Sequence, residues 1–448
     1  MGKYFGTDGI RGIAGAELDA ELAFRVGRAA ATVLFQIGIK RPRVMIARDT
    51  RISCDMLEAA LCAGLCSAGA DVTLLGVLPT PAVAYLTKKT GADLGAVISA
   101  SHNPFEHNGI KFFGRNGYKL SDSLEERIEK LIDDESKVIK NVGGDLGRIS
   151  MEHRYWSKEY TKFIAGVSEG RYDGRIAIDC ANGASSETAR VLFTELGLEF
   201  SIFSDKPDGV NINDKCGSTH IEALQDIVRN GSFSIGFAFD GDADRCLVVD
   251  ERGEIVDGDM ILGVLARDMT SSGKLKGSAI VGTVVSNSGM DVYAQNNNFK
   301  FLRAPVGDRN VLDMMRETGS NLGGESSGHI IFLDDTTTGD GQLTAIKFLN
   351  VLISSGKTVS ELVSDIPRYP QVMPSYKLTG GADQRDAIMA SPLLWDEIAR
   401  QEKLLAGEGR ILVRPSGTEP LIRVLVEAKT EALAVEKAEI LINLIKNL

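Results

Sequence analysis

The sequence predicts an α/β protein in which three related α/β domains with mixed, mostly parallel sheets are followed by a C-terminal α+β domain. A chain of 448 residues is too long for a single hydrophobic core, so several domains are expected. A strand–loop–helix–strand pattern recurs three times, and this alternation is typical of parallel sheets covered by helices. The last part of the chain departs from the pattern, which indicates a different kind of domain.

The repeated unit begins with an apolar strand, passes through a polar loop into a helix and ends with a second strand. Ahead of the first unit, the spacing of apolar residues predicts an amphipathic helix over residues 19–36. The three units occupy residues 43–75, 175–203 and 279–302, and their unequal intervals indicate repeated domains and not a solenoid. The C-terminal part predicts a helix at 392–405, strands at 410–413 and 422–427, and a helix from 431 onward.

Three stretches indicate domain boundaries. A charged segment at 133–140 precedes a pair of glycines, a turn lies at 250–253, and prolines frame residues 367–374. We therefore expect domains at 1–150, 151–251, 252–367 and 368–448.

The composition excludes several classes of protein. A net charge of −11 is unfavourable for a nucleic-acid footprint, so an anionic substrate would need local cationic pockets. The N-terminus has no apolar signal core and no segment is long enough to span a bilayer, so no membrane partner is expected. The six cysteines have no Cys-x-x-Cys spacing, which favours a reduced, cytoplasmic protein. The five histidines are scattered, so a histidine metal site is not indicated.

A serine-rich loop follows the apolar run from Leu94 to Ile98. Loops at the carboxyl ends of strands in open α/β sheets are where ligands bind, which makes the hydroxyl of Ser101 a candidate reactive group. The alternative is a plain serine-rich turn. A serine hydrolase is disfavoured because the Gly-x-Ser-x-Gly elbow is missing and because His102, in an extended segment, is expected to point away from Ser101.

An acidic triplet, Asp240, Asp242 and Asp244, follows the alternating strand at 234–239. Carboxylates at alternate positions of an extended backbone project to the same side, and three so close together favour a bound cation, for which Mg²⁺ fits best. One alternative is an EF-hand, since Glu251 matches its twelfth position. However, Arg245 replaces the required glycine and the flanking segments are strands. A solvated acidic turn is the second alternative.

Three further loops carry polar groups in suggestive positions, each with a plainer alternative. The loop at 414–420 offers a guanidinium, hydroxyls and exposed amides for an anion, or is an ordinary hairpin connection. Glu325, Ser327 and His329 alternate and could contact sugar hydroxyls, or belong to a Gly-Ser turn. Arg11 is the one cation in the glycine-rich opening at 5–12, which faces an anion or is a plain glycine loop. Lys111, after the serine loop, is a candidate acid–base group or phosphate contact.

Together these loops resemble the four signature loops of the α-D-phosphohexomutases, in the order in which that family carries them. The resemblance covers the whole chain and rests on Ser99-Ala100-Ser101-His102-Asn103-Pro104, Asp240-Gly241-Asp242-Ala243-Asp244-Arg245, Gly324-Glu325-Ser326-Ser327-Gly328-His329 and Arg414-Pro415-Ser416-Gly417-Thr418. It implies four domains around a central cleft and a phosphoserine at Ser101.

The resemblance also implies roles for the candidate residues. It implies one Mg²⁺ per chain on Ser101, Asp240, Asp242 and Asp244. Arg245, Glu325 and Ser327 would bind the sugar, and the phosphate contacts would be Arg414, Ser416, Gly417, Thr418 and Arg423. Arg11, Lys111 and His329, with Ser101, would be the catalytic groups. Glucose or glucosamine 1,6-bisphosphate would prime the serine, and a homodimer is compatible with the family.

Within the family, the opening segment and the loop at 305–309 resemble the glucosamine branch, whose product feeds UDP-N-acetylglucosamine and cell-wall precursor synthesis. The expected substrate is therefore a phosphorylated hexosamine. Ser326 departs from this branch, which usually has glutamine there. The alternative is the mannose/glucose branch, but its catalytic histidine is missing at Asp308-Arg309, which leaves the general base open. A non-catalytic phosphosugar-binding protein is a further alternative.

Overall fold

The computed structural model of the protein describes residues 2–6, 8–406, 408–416 and 421–448. Four sheets follow one another along the chain, and helices flank the first three. The predicted fold class, three α/β domains with mixed sheets and a C-terminal α+β domain, is confirmed. Among the described residues, no helix combines the length and the apolar character that crossing a bilayer requires.

The first domain contains a seven-stranded sheet in the order β1-β2-β6-β5-β3-β4-β7. Its elements are β1 (Phe5–Gly6), β2 (Gly9–Ile13), α1 (Ala20–Gln36), β3 (Arg43–Arg48), α2 (Cys54–Ser67), β4 (Asp71–Val77), α3 (Thr80–Thr90), β5 (Leu94–Ile98), β6 (His107–Gly114), α4 (Asp122–Asp133) and β7 (Ile149–Met151). Asp19 is the N-cap of α1 and accepts a hydrogen bond from the amide of Leu22 at 2.8 Å, so the helix starts where the sequence predicted.

The second and third domains have five and four strands, in the orders β12-β11-β10-β8-β9 and β14-β13-β15-β16. The second comprises α5 (His153–Ala165), β8 (Ile176–Asp179), α6 (Ser185–Glu195), β9 (Phe200–Phe203), α7 (Glu222–Asn230), β10 (Ile235–Phe239), β11 (Cys246–Asp250) and β12 (Ile255–Val256). The third comprises α8 (Gly258–Ser271), β13 (Ala279–Thr283), α9 (Gly289–Asn296), β14 (Lys300–Ala304), α10 (Asp308–Thr318), β15 (Leu322–Gly324), β16 (Ile330–Phe332), α11 (Gly341–Ser355) and α12 (Val359–Val363).

The three repeats share one sheet pattern. In each, the first strand lies between the second and third as parallel neighbours, and a fourth strand adds antiparallel to the third: β4-β3-β5-β6, β9-β8-β10-β11 and β14-β13-β15-β16. The turns between third and fourth strands carry Ser101, the acidic triplet and Glu325, respectively. Because the pattern repeats, three chemically different loops occupy the same place in three related domains.

The C-terminal domain is an antiparallel sheet with helices. Its elements are β17 (Gln371–Val372), β18 (Ser375–Lys377), α13 (Gly381–Ala390), α14 (Pro392–Leu404), β19 (Gly409–Pro415), β20 (Leu421–Ala428) and α15 (Glu431–Asn447). β20 pairs with β19 on one side and with β17 and β18 on the other. Its apolar core is separate, whereas a single apolar cluster runs through the first three domains. The boundaries at 150, 251 and 367 stay predictions; β12 lies beyond 251, yet it pairs with β11.

An ion pair within the C-terminal domain contacts the third domain. Arg410 Nε and Nη2 each donate to a carboxylate oxygen of Glu427 at 3.0 Å, and the Glu427 side chain is fully buried. Arg410 also donates to the carbonyl of Ser286, and Glu427 accepts from the amide of Ser288 at 3.0 Å. The third domain therefore holds the β19–β20 hairpin at the end away from its turn.

Candidate active site

Strand β5 delivers Ser101 to a buried turn at the junction of the first and second domains. The Ser101 amide donates to Ser99 Oγ at 2.9 Å, and that hydroxyl donates to Asp49 at 2.6 Å, which orders the turn from within the first domain. Ser101 Oγ donates to Asp240 Oδ2 at 2.6 Å. Two loops separated by 139 positions in the chain are therefore in direct contact.

The expectation that His102 points away from Ser101 is wrong. Ser101 has φ = 51°, in the left-handed region, so the backbone turns sharply where an extended segment was expected. As a result His102 Nδ1 lies 3.4 Å from Ser101 Oγ. Burial and the nearby Arg245 and Arg11 lower the pKa of His102 to about 4, so the ring is neutral at pH 7.

Asp240, Asp242 and Asp244 converge on the turn between β10 and β11, and one carboxylate oxygen of each lies within 4.8 Å of the others. The expectation that an extended backbone brings them together is wrong. The residues form a turn in which Ala243 has φ = 56°, and the curled backbone makes the carboxylates converge. Because strands flank this turn, the EF-hand alternative is excluded.

The electrostatics of the triplet fit a divalent cation. Burial and the charges of Asp244 and Asp242 raise the pKa of Asp240 well above its usual range. Burial alone would also raise the pKa of Asp242, but Lys111, 3.0 Å away, and the Thr80 hydroxyl lower it. Asp242 Oδ1 and Asp244 Oδ1 are buried without a hydrogen-bond partner in the described part of the chain. Buried, crowded carboxylate oxygens without donors are suited to Mg²⁺.

The carboxylate of Asp8 forms ion pairs with three cationic side chains beside the acidic triplet. It contacts Lys111 at 3.0 Å, Lys119 at 2.6 Å and the guanidinium of Arg11. Lys119 also contacts Asp308 at 2.6 Å, which bridges the first and third domains. The bridge lies at one side of a crevice of about 700 Å³ between these two domains. Burial alone would lower the pKa of Lys111, but Asp242 and Asp8 raise it, so the side chain is charged.

His329 connects this network to the triplet. Its Nδ1 lies 3.5 Å from Asp244 Oδ2 and its Nε2 lies 3.9 Å from Asp308 Oδ2. Although burial lowers the pKa of His329, these two carboxylates raise it to about 9. The amide of Gly339 donates to Nε2 at 3.1 Å, which requires an unprotonated nitrogen there. A cation bound to Asp244 would lower the pKa of His329. It would therefore favour the neutral ring, whose unprotonated Nε2 accepts the hydrogen bond from Gly339.

The loop between β15 and β16 holds the two expected sugar contacts. Residues 326–328 form a tight turn, so Glu325 and Ser327 do not alternate along a strand as expected. Glu325 Oε1 accepts from the amide of Gly307 at 3.1 Å. Ser327 Oγ is buried and has no hydrogen-bond partner among the described atoms. Arg245 Nε lies 3.9 Å from Asp244 Oδ1.

Arg414 and Arg423 lie directly opposite each other on β19 and β20. Like charges at opposed strand positions repel, and burial together with Arg423 lowers the pKa of Arg414. A bound anion would relieve this repulsion. Arg414 and Pro415 belong to β19, although a loop was expected from Arg414 onward, and Ser416 donates through its amide to the carbonyl of Leu421 at 2.8 Å. Gly417 and Thr418 lie outside the described residues.

Four domains of the phosphoglucomutase/phosphomannomutase family match this chain in order. The alpha/beta/alpha domains I, II and III match residues 2–138, 158–253 and 257–369, and the C-terminal domain matches residues 377–443. The chain belongs to this family.

Curated relatives of this family member are similar along its whole length. The phosphoglucosamine mutase of Shouchella clausii is 49% identical over 447 residues, which covers 100% of this chain and 99% of the relative. The phosphoglucosamine mutase of Acetivibrio thermocellus is 49% identical over 448 residues, with the same coverage. The predicted resemblance to the phosphohexomutases, and to their glucosamine branch, is confirmed.

Solved structures share the fold of this family member. A phosphoglucomutase/phosphomannomutase family protein from Burkholderia thailandensis has a TM-score of 0.83 and 28% identity, with 99% of this chain and 97% of that one covered. Aspergillus fumigatus N-acetylphosphoglucosamine mutase, in complex with GlcNAc-6P and magnesium, has a TM-score of 0.70 and 17% identity, with 99% and 95% covered. At that identity the second likeness shows the fold alone.

The structure brings Ser101, Lys111, His329 and the acidic triplet into one group, with Arg11 attached through Asp8. The sequence reasoning missed Asp8, Thr80 and Lys119, which lie in this group. Asp8 adjoins Arg11 in the opening glycine-rich segment, so its position was a usable signal. The roles of Thr80 and Lys119 depend on contacts with residues far away in the chain, at Asp242 and Asp308, and have no local signal.

Proposed function

We propose that this family member is a phosphoglucosamine mutase, which interconverts glucosamine 6-phosphate and glucosamine 1-phosphate through a phosphoserine at Ser101. The observation that carries the proposal is the 2.6 Å hydrogen bond from Ser101 Oγ to Asp240, which places a hydroxyl against three buried carboxylates. Full-length identity of 49% to relatives named phosphoglucosamine mutase supports the choice of substrate.

The reaction passes one phosphoryl group from serine to sugar and takes another back. Phospho-Ser101 gives its phosphoryl group to O1 of glucosamine 6-phosphate: the Oγ–P bond breaks, the P–O1 bond forms, and the O1 hydroxyl proton passes to a base. The 1,6-bisphosphate reverses its orientation, and its 6-phosphate group returns to Ser101 Oγ, which releases glucosamine 1-phosphate. Because serine ends phosphorylated again, glucose or glucosamine 1,6-bisphosphate needs to prime it only once.

Asp240, Asp242 and Asp244, together with Ser101, would hold one Mg²⁺ per chain. When bound, this ion would neutralise negative charge on the transferring phosphoryl group. The two carboxylate oxygens without donors support this assignment. Phosphoserine carries close to two negative charges at neutral pH, and Arg11 and Lys111 are the nearby cations that would orient it.

Among the candidate catalytic groups, Lys111 and His329 differ in protonation. Asp242 and Asp8 raise the pKa of Lys111, so the side chain keeps its proton and is suited to orient phosphate. The geometry at Gly339 favours a neutral His329 when Asp244 holds a cation, but Nε2 then accepts from the Gly339 amide and Nδ1 faces Asp244. Neither ring nitrogen is left for the sugar hydroxyl proton, so the general base stays open.

The remaining site residues would contact the sugar ring and the phosphate that is not reacting. Glu325 and Ser327, with Arg245, would contact the sugar between the two phosphates. The phosphate that is not reacting would lie on Arg414, Ser416 and Arg423. The proposal extends to Gly417 and Thr418, which lie outside the described residues. Support for this clamp comes from the opposed guanidinium groups on β19 and β20.

We also propose a cytoplasmic location for the enzyme. All six cysteines lie in the described part of the chain and are free, and five of them are buried. Such thiols are typical of a reducing compartment. The expected homodimer stays a prediction.

A coupled mutase assay tests the function directly. With Mg²⁺ and trace sugar 1,6-bisphosphate, we expect the highest kcat/KM on glucosamine 1-phosphate, compared with glucose and mannose 1-phosphates. A preference for mannose 1-phosphate would instead assign the chain to the mannose/glucose branch, and no turnover on any of them would favour a binding protein. Intact-mass spectrometry of Ser101→Ala should show loss of the phosphoprotein peak. An undiminished peak would place the phosphate on another residue.

A further inference from the structure

The backbone around Ser101 is held from within the first domain by a fully buried arginine. Arg51 Nη2 donates to the carbonyl oxygens of Ser101 and Asn103, each at 2.9 Å, and Nη1 donates to those of Pro104 and His107. The Arg51 side chain has no exposed surface. One guanidinium therefore donates to four carbonyls of the segment from Ser101 to His107.

The second domain reaches the same carbonyls through Asn213. Its Nδ2 donates to the carbonyl of Ser101 at 2.9 Å and to that of Asn103 at 3.1 Å. Asn213 is 5% exposed and has φ = 59°, a left-handed conformation that asparagine adopts more readily than most residues. The two carbonyls thus receive four hydrogen bonds, two from each domain.

These contacts hold Ser101 in a left-handed backbone conformation that is unfavourable for residues other than glycine. A non-glycine residue in the left-handed region, as Ser101 is, costs on the order of 1–3 kcal/mol and persists where its surroundings over-determine it. Asn213 belongs to the domain that carries Asp240, so fixing the Ser101 carbonyl from that side also fixes the serine relative to the acidic triplet.

We propose that Arg51 and Asn213 form a two-domain clamp on the Ser101 turn and act as positioning residues for phosphoryl transfer. They hold Ser101 Oγ at its 2.6 Å distance from Asp240 without touching the substrate. This inference rests on the proposed mutase function for its kinetic consequence, but its structural consequence is independent of substrate.

A hydrogen bond across the same two domains provides a matched control. Thr50 Oγ1 donates to the carbonyl of Asn182 in the second domain at 2.6 Å. Thr50 is adjacent to Arg51, yet this bond does not involve the Ser101 turn. If the role of Asn213 is only to dock the two domains, loss of the Thr50 bond should have a similar effect.

The experiment compares Asn213→Ala, Asn213→Asp and Thr50→Ala in the full chain. We expect both Asn213 variants to lower kcat about 10- to 100-fold, with KM within about twofold of wild type, because a misplacement near 1 Å costs about that much. Amide hydrogen exchange at residues 99–107 should accelerate in both variants, and Thr50→Ala should leave kcat and this exchange unchanged. Asn213→Asp keeps the shape but turns an oxygen toward two carbonyls, so it should be at least as impaired as Asn213→Ala.

Two outcomes would overturn the clamp. One is unchanged exchange at residues 99–107 in Asn213→Ala, and the other is an equal loss of kcat in Thr50→Ala. Since the exchange measurement needs no substrate, it tests the clamp even if the wild-type protein has no mutase activity, a result that would refute the proposed function alone. Arg51→Lys, which keeps the charge but loses the forked donor geometry, should accelerate exchange over the same residues.

Discussion

Gly241 is where one added methyl group most directly tests the contact between the serine turn and the acidic turn. A Cβ at this position would lie 2.6 Å from the carbonyl oxygen of Ser101 and 2.8 Å from Asn213 Nδ2. Close carbon–oxygen contacts are about 3.3 Å or longer, so the two turns would have to separate by about 0.7 Å. Arg51 holds the Ser101 and Asn103 carbonyls from within the first domain, so the acidic turn and Asn213 are the parts that should move.

The expected result is a loss of activity with a modest loss of stability. Overpacking of this kind costs about 1–3 kcal/mol, and a displacement near 1 Å of reacting groups lowers turnover about 100-fold. We therefore expect Gly241→Ala to lower kcat on glucosamine 1-phosphate about 10- to 100-fold and to reduce Tm by a few degrees. Gly144→Ala is the matched control, since a Cβ there has no neighbour within 4 Å. A Gly241→Ala enzyme with kcat within twofold of wild type would refute this account of how the turns meet.

The charges of Arg414, Asp240 and Asp340 can each be removed by one substitution. Arg414→Met should raise KM for glucosamine 1-phosphate about 10-fold or more, because a charge-assisted contact to phosphate is lost. Asp240→Asn should raise the Tm of the metal-free protein by relieving carboxylate repulsion, while abolishing any rise in Tm on addition of Mg²⁺. Burial raises the pKa of Asp340 to about 7, so Asp340→Asn should stabilise the fold at pH 8 by on the order of 1–3 kcal/mol and have little effect near pH 4.

Asp340 binds its proton more tightly in the folded protein than in the unfolded chain. Its folded-state pKa lies above the unfolded value near 3.8. The group therefore destabilises the fold progressively as pH rises from about 4 to about 7. Denaturation midpoints at pH 4 and pH 8 measure the difference, and an equal effect at both would contradict it.

For Arg414 the control is Arg385→Met, an exposed arginine paired with Asp386. A wild-type KM in Arg414→Met, or a Mg²⁺-dependent Tm rise in Asp240→Asn, would contradict the other two assignments.

The sequence predicted the secondary structure well because the signals for it are local. The apolar strand at Leu94–Ile98 and the helix at Ala20–Gln36 lie where period and capping placed them. The convergence of the acidic triplet was predicted, but through an extended backbone, since nothing near Ala243 indicates a left-handed residue. The same limit applies to Ser101, whose conformation is imposed by neighbours rather than chosen by its own side chain.

The parts of the site that sequence reasoning missed depend on distant contacts. Arg51 lies 50 residues from the turn that it holds, and Asn213 lies 112 residues from Ser101. Neither residue belongs to a motif. Arginine is rarely buried, so from its residue type alone Arg51 would be expected at the surface. The role of such residues can be recognised only in the folded structure, where they donate hydrogen bonds to these carbonyls.

The β19–β20 hairpin has the geometry of a lever. Its fulcrum is the Arg410–Glu427 ion pair, which contacts Ser286 and Ser288 of the third domain. The opposed pair Arg414 and Arg423 lies toward the other end of the hairpin. Four residues of strand separate the two points, which is about 13 Å, so a swing of about 10° at the fulcrum carries the guanidinium groups roughly 2 Å. For the proposed mutase, which releases, turns and recaptures a bisphosphate, such a rotation would loosen the grip on one end of the ligand and leave the ion pair intact.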